Sequence, residues 1–219
     1  GRAVELVHAG QAGAVMKGHL HTSDLLHQVL KSKGGLRTSR RMSHAFVMDV
    51  PGLDHPLIIS DAAINITPDL VTKVDITQSA IDVALALGIQ KPKVGVLSAV
   101  ETVNPQIPST LDAAALSKRS DRGQIKGGLV DGPLALDNAI SPESVRIKGI
   151  KSEVAGYADI LIAPDIEAGN VLAKAITYFA QGKMAGVVVG ARCPLILPSR
   201  SDTREAKLVS LALGVMLAS

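Results

Sequence analysis

The residues best suited to chemistry in this 219-residue chain stand in one short run, Pro198-Ser199-Arg200-Ser201-Asp202. A hydroxyl, a guanidinium and a carboxylate follow the apolar stretch Leu195–Leu197 and precede a helical pattern over Thr203–Leu217. A helix start presents N–H groups without intrahelical partners at the positive end of its dipole, which favours anions. Arg200 at such a corner would neutralise a phosphate through charge-assisted, bidentate hydrogen bonds. Ser199 would donate to an oxygen that gains charge during reaction. The alternative is a cap region whose Ser and Arg only close a loop, and local pattern leaves the two in balance. Asp202 and Glu205 are the carboxylates in reach of that corner, candidates for a general base. Their spacing is also that of a capping box, with Asp202 as N-cap and Glu205 returning to its backbone N–H, and this structural role is favoured.

Other candidates are weaker. His19 and His21 bracket Leu20 after a short strand pattern. Two His at this spacing suit a metal, but no third ligand stands nearby, so a phosphate or thioester contact is preferred over metal, with a solvated loop the plain alternative. Arg37, Arg40 and Arg41 follow Gly34-Gly35 and would either grip a nucleotide phosphate or form a solvated face. Cys193, with no base paired to it in sequence, reads as a packed thiol. No Walker-type phosphate loop and no GxGxxG after a strand is present.

The elements that must position these groups alternate along the chain, which predicts an α/β fold with a mainly parallel sheet. Helical patterns cover Arg2–Ala9 and a stretch from a Thr22 or Ser23 cap to Lys31. Strand patterns cover Ala14–Lys17, His44–Val50 and Leu57–Ser60, the last two joined by a hairpin turn at Pro51–Asp54. Asp61–Asp69 is a loop that ends in a helix start, with Thr67 as N-cap and Pro68 first in the helix. That helix places Leu70, Val74, Thr77, Ile81, Ala84 and Leu85 on one face and ends at Gly88. A second unit begins with strand Lys93–Leu97 and a helix capped by Ser109 or Thr110 and running to Arg119. Strand Ile125–Val130 follows and ends at Asp131-Gly132-Pro133. A polar section, Ser141–Glu153, precedes strand Asp159–Ala163 and a helix that starts within Pro164–Asn170 and runs to Gln181. Strand Gly186–Val189 then leads to the corner at Ser199.

Composition narrows the classes. The chain is 47% hydrophobic, 20% charged and only 2% aromatic, with no Trp. An aliphatic core of this kind suits sheets buried on both faces. A net charge of +3 suits anionic small molecules but not nucleic acid, and base-stacking aromatics are scarce. The single cysteine allows no disulfide within the chain and fits a reducing, cytoplasmic compartment. No apolar run reaches membrane-span length. The chain opens at Gly1-Arg2 without Met, with Ala3–Val7 already helix-like, which reads as a fragment lacking a preceding part.

Four runs are distinctive: Asp61–Asp69 (DAAINITPD), Asp131–Ile140 (DGPLALDNAI), Ala158–Asn170 (ADILIAPDIEAGN) and Pro198–Asp202 (PSRSD). In sequence, order and approximate spacing they resemble the phosphate acetyl/butyryltransferase family, over nearly the whole chain from Ala3. Met42–Pro51 (MSHAFVMDVP) and Leu97–Val103 (LSAVETV) look most like the transferase module of bifunctional proteins in which an enoyl-CoA hydratase-like module comes first.

The resemblance implies reversible transfer of a short acyl group between coenzyme A and phosphate, with CoA as a substrate and no metal or other cofactor required. It implies Ser199 for the transition state, Arg200 for the phosphate, Asp202 as a candidate base, and His21, Thr22, Arg37, Asn65, Asp165 and Asn170 around the substrates. It implies a two-lobed, isocitrate/isopropylmalate dehydrogenase-like fold with mainly parallel sheets and the N-terminal part of the first lobe missing. The lobes fall at 1–90 plus 193–219 and at 91–192, with the active-site cleft between them. A homodimer or larger homo-oligomer, either fused to or cleaved from a hydratase-like module, is the expected assembly, with no nucleic-acid or membrane partner. One departure stands out. Acetyl-transferring relatives carry an aspartate seven positions beyond the motif serine, taken as the thiol base, and here that position is Ala206. Either Asp202 or Glu205 replaces it, or the positive site ionises the thiol unaided. A noncatalytic acyl-CoA or acyl-phosphate binding module is the alternative function. A nicotinamide-dependent dehydrogenase is a weaker one, since its metal-binding carboxylates and cofactor site have no counterpart in sequence.

Overall fold

A computed structural model of the chain describes residues 1–199 and 202–218. The elements follow in the order α1 (Arg2–His8), β1 (Val15–Met16), α2 (Thr22–Val29), β2 (Ser43–Asp49), β3 (Leu57–Ser60) and α3 (Leu70–Ala86). Next come β4 (Lys93–Leu97), α4 (Pro108–Asp121), β5 (Leu129–Leu134), α5 (Leu136–Ile140), α6 (Pro142–Lys148) and β6 (Ile160–Ile162). The chain closes with α7 (Ile166–Phe179), β7 (Lys183–Val189), β8 (Leu195–Ile196) and α8 (Arg204–Leu217).

Among the described residues, all strands join one eight-stranded sheet in the order β1-β8-β7-β2-β3-β6-β4-β5. Four of its seven pairings are parallel and three antiparallel. The sheet is therefore mixed, with its antiparallel part centred on β2. The β2–β3 hairpin is as the sequence predicts, with Ala45 opposite Ser60 and Met48 opposite Leu57.

The aliphatic runs are buried on both faces, as period-2 alternation in a covered sheet requires. Ile58, Ile160 and Ile162 point into one cluster with Ile76, Ala80, Ile81 and Ala84 of α3. Ile59 and Leu161 point into the opposite cluster with Ala173 of α7. A third cluster holds Val4 of α1, Leu25 and Val29 of α2, Val15 of β1 and Leu195 of β8.

Several boundaries differ from expectation. The α3 cap is Asp69, whose side chain accepts from the Thr72 N–H, instead of Thr67. Helix α2 starts at Thr22 itself, with His21 at the N-cap. The N-cap of α4 is Ile107, because Thr110 turns its hydroxyl inward to the Asn104 and Ile107 carbonyls. Strand β5 starts at Leu129 and runs through Asp131-Gly132-Pro133 instead of ending there. Proline fits because β5 is the outermost strand, where a missing N–H need not break a ladder. Two short helices, α5 and α6, occupy Leu136–Lys148, much of which reads as polar loop. Gly88 ends α3 with φ +90, the left-handed cap the sequence implies.

Among the described residues no helix is long and apolar enough to cross a membrane.

Candidate active site

Strand polarity decides which loops meet. Strands β3, β6, β4 and β5 run parallel, so Asp61, Ala163, Ser98 and Ala135 all leave the same edge of the sheet. In open α/β sheets ligands bind outside the carboxyl ends of such strands.

At that edge Asp61 is the organiser. It is only 2% exposed, and its carboxylate accepts from the N–H groups of Ala63, Ile64 and Asn65 and from Asn65 Nδ2. A buried carboxylate persists only when its lone pairs are filled, and here N–H donors from its own loop fill them. Asn65 Nδ2 also donates to the Met42 carbonyl at 2.9 Å, fixing the loop to the start of β2.

The loop after β6 docks onto the same structure. Asn170 Nδ2 donates to the Ala62 carbonyl at 3.2 Å, and the Ile166 N–H donates to the Ile66 carbonyl at 3.0 Å. Asp165 caps α7 by accepting from the Ala168 N–H. Gly169 makes the approach possible: a Cβ there would stand 2.7 Å from the Asp61 carbonyl oxygen. Asn65, Asp165 and Asn170 are thus brought together, each with its side chain holding backbone.

His44 lies beside this knot. Extending the β2–β3 register places it opposite Asp61, and both are buried. Burial lowers its pKa to about 4 despite the upward pull of the Asp61 charge, so the ring is neutral at pH 7. Its Nδ1 is buried without a hydrogen-bond partner among the described residues. Sequence reasoning passed over His44. The only signal was its place in the MSHAFVMDVP run, one register step from Asp61.

Ser199 and His21 sit differently. Strand β8 runs opposite to β7, and β1 runs parallel to β8, so both leave the other edge. Ser199 is exposed, and its N–H donates to Asp202 Oδ2 at 2.7 Å. Asp202 is therefore not the α8 N-cap. That place belongs to Thr203, which accepts from the Ala206 N–H at 3.1 Å. Glu205 points instead to Lys183 Nζ at 2.9 Å. The capping-box expectation fails because the true cap lies one residue later, which leaves Glu205 out of phase. Arg200 and Ser201 lie outside the described residues.

One apolar cluster underlies both groups. Ile64 of the Asp61 loop, Leu26 of α2 and Leu197 beyond β8 all pack on the cluster that contains Val15, Leu36, Met42 and Leu195. His21 caps α2 with its carbonyl accepting from the Asp24 N–H, and Thr22 is exposed in the first turn. Arg37 is exposed and bridges to Ala191, beside the Arg192 N–H that donates to the Leu36 carbonyl. Among the described residues no group of three or more His, Cys, Asp or Glu is placed to hold a metal. Burial raises the Cys193 thiol above its ordinary pKa, the opposite of what a nucleophile needs.

A family model described as phosphate acetyl/butaryl transferase matches residues 2–215. A phosphate acetyltransferase of Rhizobium meliloti is 55% identical over 218 residues, covering 100% of this chain and 69% of that protein. A phosphate butyryltransferase of Clostridium acetobutylicum is 50% identical over 217 residues, covering 99% of this chain and 72% of that protein. The crystal structure of a branched-chain phosphotransacylase from Enterococcus faecalis V583 superposes with a TM-score of 0.90 at 37% identity, covering 99% of this chain and 78% of that one.

Proposed function

The chain belongs to the phosphate acetyl/butyryl transferase family, and from that premise we propose that it moves a short acyl group reversibly between coenzyme A and inorganic phosphate. In the direction of thioester synthesis the CoA thiolate attacks the acyl phosphate carbonyl. A C–S bond forms, the tetrahedral intermediate collapses, and the C–O bond to phosphate breaks. The thiol proton leaves to a base or to the departing phosphate. The observation that carries this reading is the match to transferases of both acyl classes along essentially the whole chain, through the Ser199 corner.

The chemistry asks for a donor at the tetrahedral oxygen and a cation at the phosphate. In our reading Ser199 is the donor and Arg200 the cation. The Asp61 loop and the start of α7 form the facing wall, with Asn65, Asp165 and Asn170 keeping that wall in shape. His21, Thr22 and Arg37 complete the anionic subsite. The shared cluster beneath Ile64, Leu26 and Leu197 supports a single cleft served from both edges. The lobes would be 1–90 plus 193–219 and 91–192 in an isocitrate/isopropylmalate dehydrogenase-like arrangement, with the sheet crossing between them through the β2–β7 and β3–β6 pairings. Holding thiol and carbonyl in line supplies much of the rate, so a rigid wall matters more than extra functional groups.

Ala206 stands where acetyl-transferring relatives carry the thiol base. Glu205 is tied to Lys183, and Asp202 spends Oδ2 on the Ser199 amide. Thiol ionisation then rests on the positive corner. A cytoplasmic homo-oligomer with no further cofactor completes the proposal, supported by the single cysteine and the exposed apolar residues Leu208, Val209, Leu211 and Val215 of α8.

The test is phosphate-dependent release of CoA thiol from acetyl-, propionyl- and butyryl-CoA, with Arg200→Ala as the decisive variant. Release that needs phosphate and collapses in the variant, with folding intact, supports the reading. Normal turnover in Arg200→Ala overturns the assignment of the phosphate site. Acyl-CoA binding without turnover in the full-length protein identifies a binding module instead.

A further inference from the structure

A groove of about 340 Å³ lies between α3, the β7–β8 connection and the end of α8, and neither Ser199 nor Asp61 is among its lining residues. Its polar wall includes Arg40, Ser79, Asp82 and Arg192, and its apolar wall Val83, Val189, Pro194, Met216 and Leu217. Two features are unusual. First, the charges do not balance. Arg40 pairs with Asp82, which also accepts from Gln78, whereas the Arg192 guanidinium has no acidic partner among the described residues. Second, the floor holds unspent hydroxyls. Ser79 is 3% exposed, and its Oγ has no hydrogen-bond partner among the described residues. Ser43, fully buried, also has an unpartnered Oγ, and its register opposite Val189 puts it on the groove side of the sheet. Buried hydroxyls are normally satisfied, so the Ser79 hydroxyl, left open in the groove's own lining, marks a place for a polar atom.

We infer that this groove binds a short-chain monocarboxylate. A planar carboxylate matches the guanidinium fork of Arg192 with two parallel hydrogen bonds. The aliphatic chain would lie along Val83, Val189, Met216 and Leu217, and Ser79 supplies a donor beneath. The groove has ample room for a carboxylate with a short aliphatic tail, with space left for water. The ligand would act at a distance. Pro194 leads directly into β8 and hence to Ser199, while Met216 and Leu217 end the helix that starts just beyond Asp202. A carboxylate wedged between them restrains both ends of the segment that carries the catalytic corner.

The experiment is saturation-transfer NMR with butyrate, acetate and inorganic phosphate on the chain, its Arg192→Gln and Ser79→Ala variants, and Ser199→Ala. The expected result is millimolar butyrate binding that is stronger than acetate binding, weakened about tenfold or more in Arg192→Gln, and unchanged in Ser199→Ala. Loss in Ser199→Ala with retention in Arg192→Gln would place the ligand in the catalytic cleft and overturn the proposal. So would phosphate competing equally at the Arg192 site, which would make it a plain anion site without use for an apolar tail. No butyrate binding to the unaltered chain overturns it outright. Because Arg192 is exposed, its variant is expected to fold, and an unchanged melting temperature verifies this. These outcomes do not depend on acyl transfer and remain readable if that activity is absent.

Discussion

The Ser199 N–H donates to Asp202 Oδ2 at 2.7 Å. The Asp202 N–H returns to the Ser199 carbonyl at 3.3 Å, so reciprocal hydrogen bonds join the two residues. The carboxylate nearest the reacting corner is thus spent on shape. If shape is its work, Asp202→Asn keeps an acceptor oxygen for the Ser199 amide and retains most of kcat. Asp202→Ala removes it and lowers stability by about 1 kcal/mol, the usual cost of a lost local cap. If Asp202 were the thiol base, both variants would lose roughly 100-fold or more in turnover. Steady-state kcat for the pair separates the two roles.

Ser199 itself is expected to act through its hydroxyl. Ser199→Ala should lower kcat by about 100- to 1000-fold, the measured scale for one oxyanion donor, while KM for acyl-CoA changes little. Ser199 is exposed, so the melting temperature should not move. A fall in kcat that tracks a fall in melting temperature would assign the effect to folding instead.

The facing wall is tested at Gly169. An added Cβ would meet the Asp61 carbonyl oxygen at 2.7 Å and the Ala163 and Ala62 Cβ atoms at 3.0 and 3.1 Å. Helix propensity alone would favour alanine by about 1 kcal/mol. The clash opposes it with roughly 1–3 kcal/mol, and a backbone oxygen cannot rotate away. Gly169→Ala should therefore destabilise the protein in urea denaturation and raise KM as α7 shifts off the Asp61 loop. A more stable variant with unchanged KM would show that α7 has room to move.

How much of this was readable in the chain depends on which residues carried the signal. Leu57–Ser60 and Lys93–Leu97 are short apolar runs fenced by turn residues, and both strands form where the pattern puts them. Caps were legible only to within a residue or two, because Thr67, Asp69, Asp202 and Thr203 are all good acceptors and tertiary packing chooses among them. Asp131-Gly132-Pro133 reads as a turn, and only its place on the outermost strand lets it be β-structure. The runs at Asp61–Asp69 and Asp165–Asn170 were visible as candidates. That their side chains would mainly hold backbone was not, and the Asn170–Ala62 contact that joins the two runs spans 108 positions in sequence. The groove at Arg192 was invisible for the same reason: Ser79 and Arg192 come to line it together only through helix docking on the sheet.

The buried His44 predicts a pH dependence whose sign follows from linkage. Burial lowers its folded-state pKa from 6.5 to about 4, with Asp61 opposing. The unfolded chain therefore binds a proton between those values that the folded chain refuses. Stability is full above about pH 6.5, falls as pH drops through that range, and levels off below about 4. From one histidine the whole effect is about 3 kcal/mol, of which about 2 kcal/mol is lost between pH 7 and pH 5. His44→Gln cannot titrate and should lose that part of the slope, although its level at pH 7 is lower because the site was shaped for a ring. Urea denaturation of both proteins at pH 7 and pH 5 gives the difference directly, since every other titrating group is common to both. Equal slopes would mean that His44 is protonated in the folded state at pH 5, held there by Asp61, and that the loop after β3 carries an ion pair in place of a neutral imidazole.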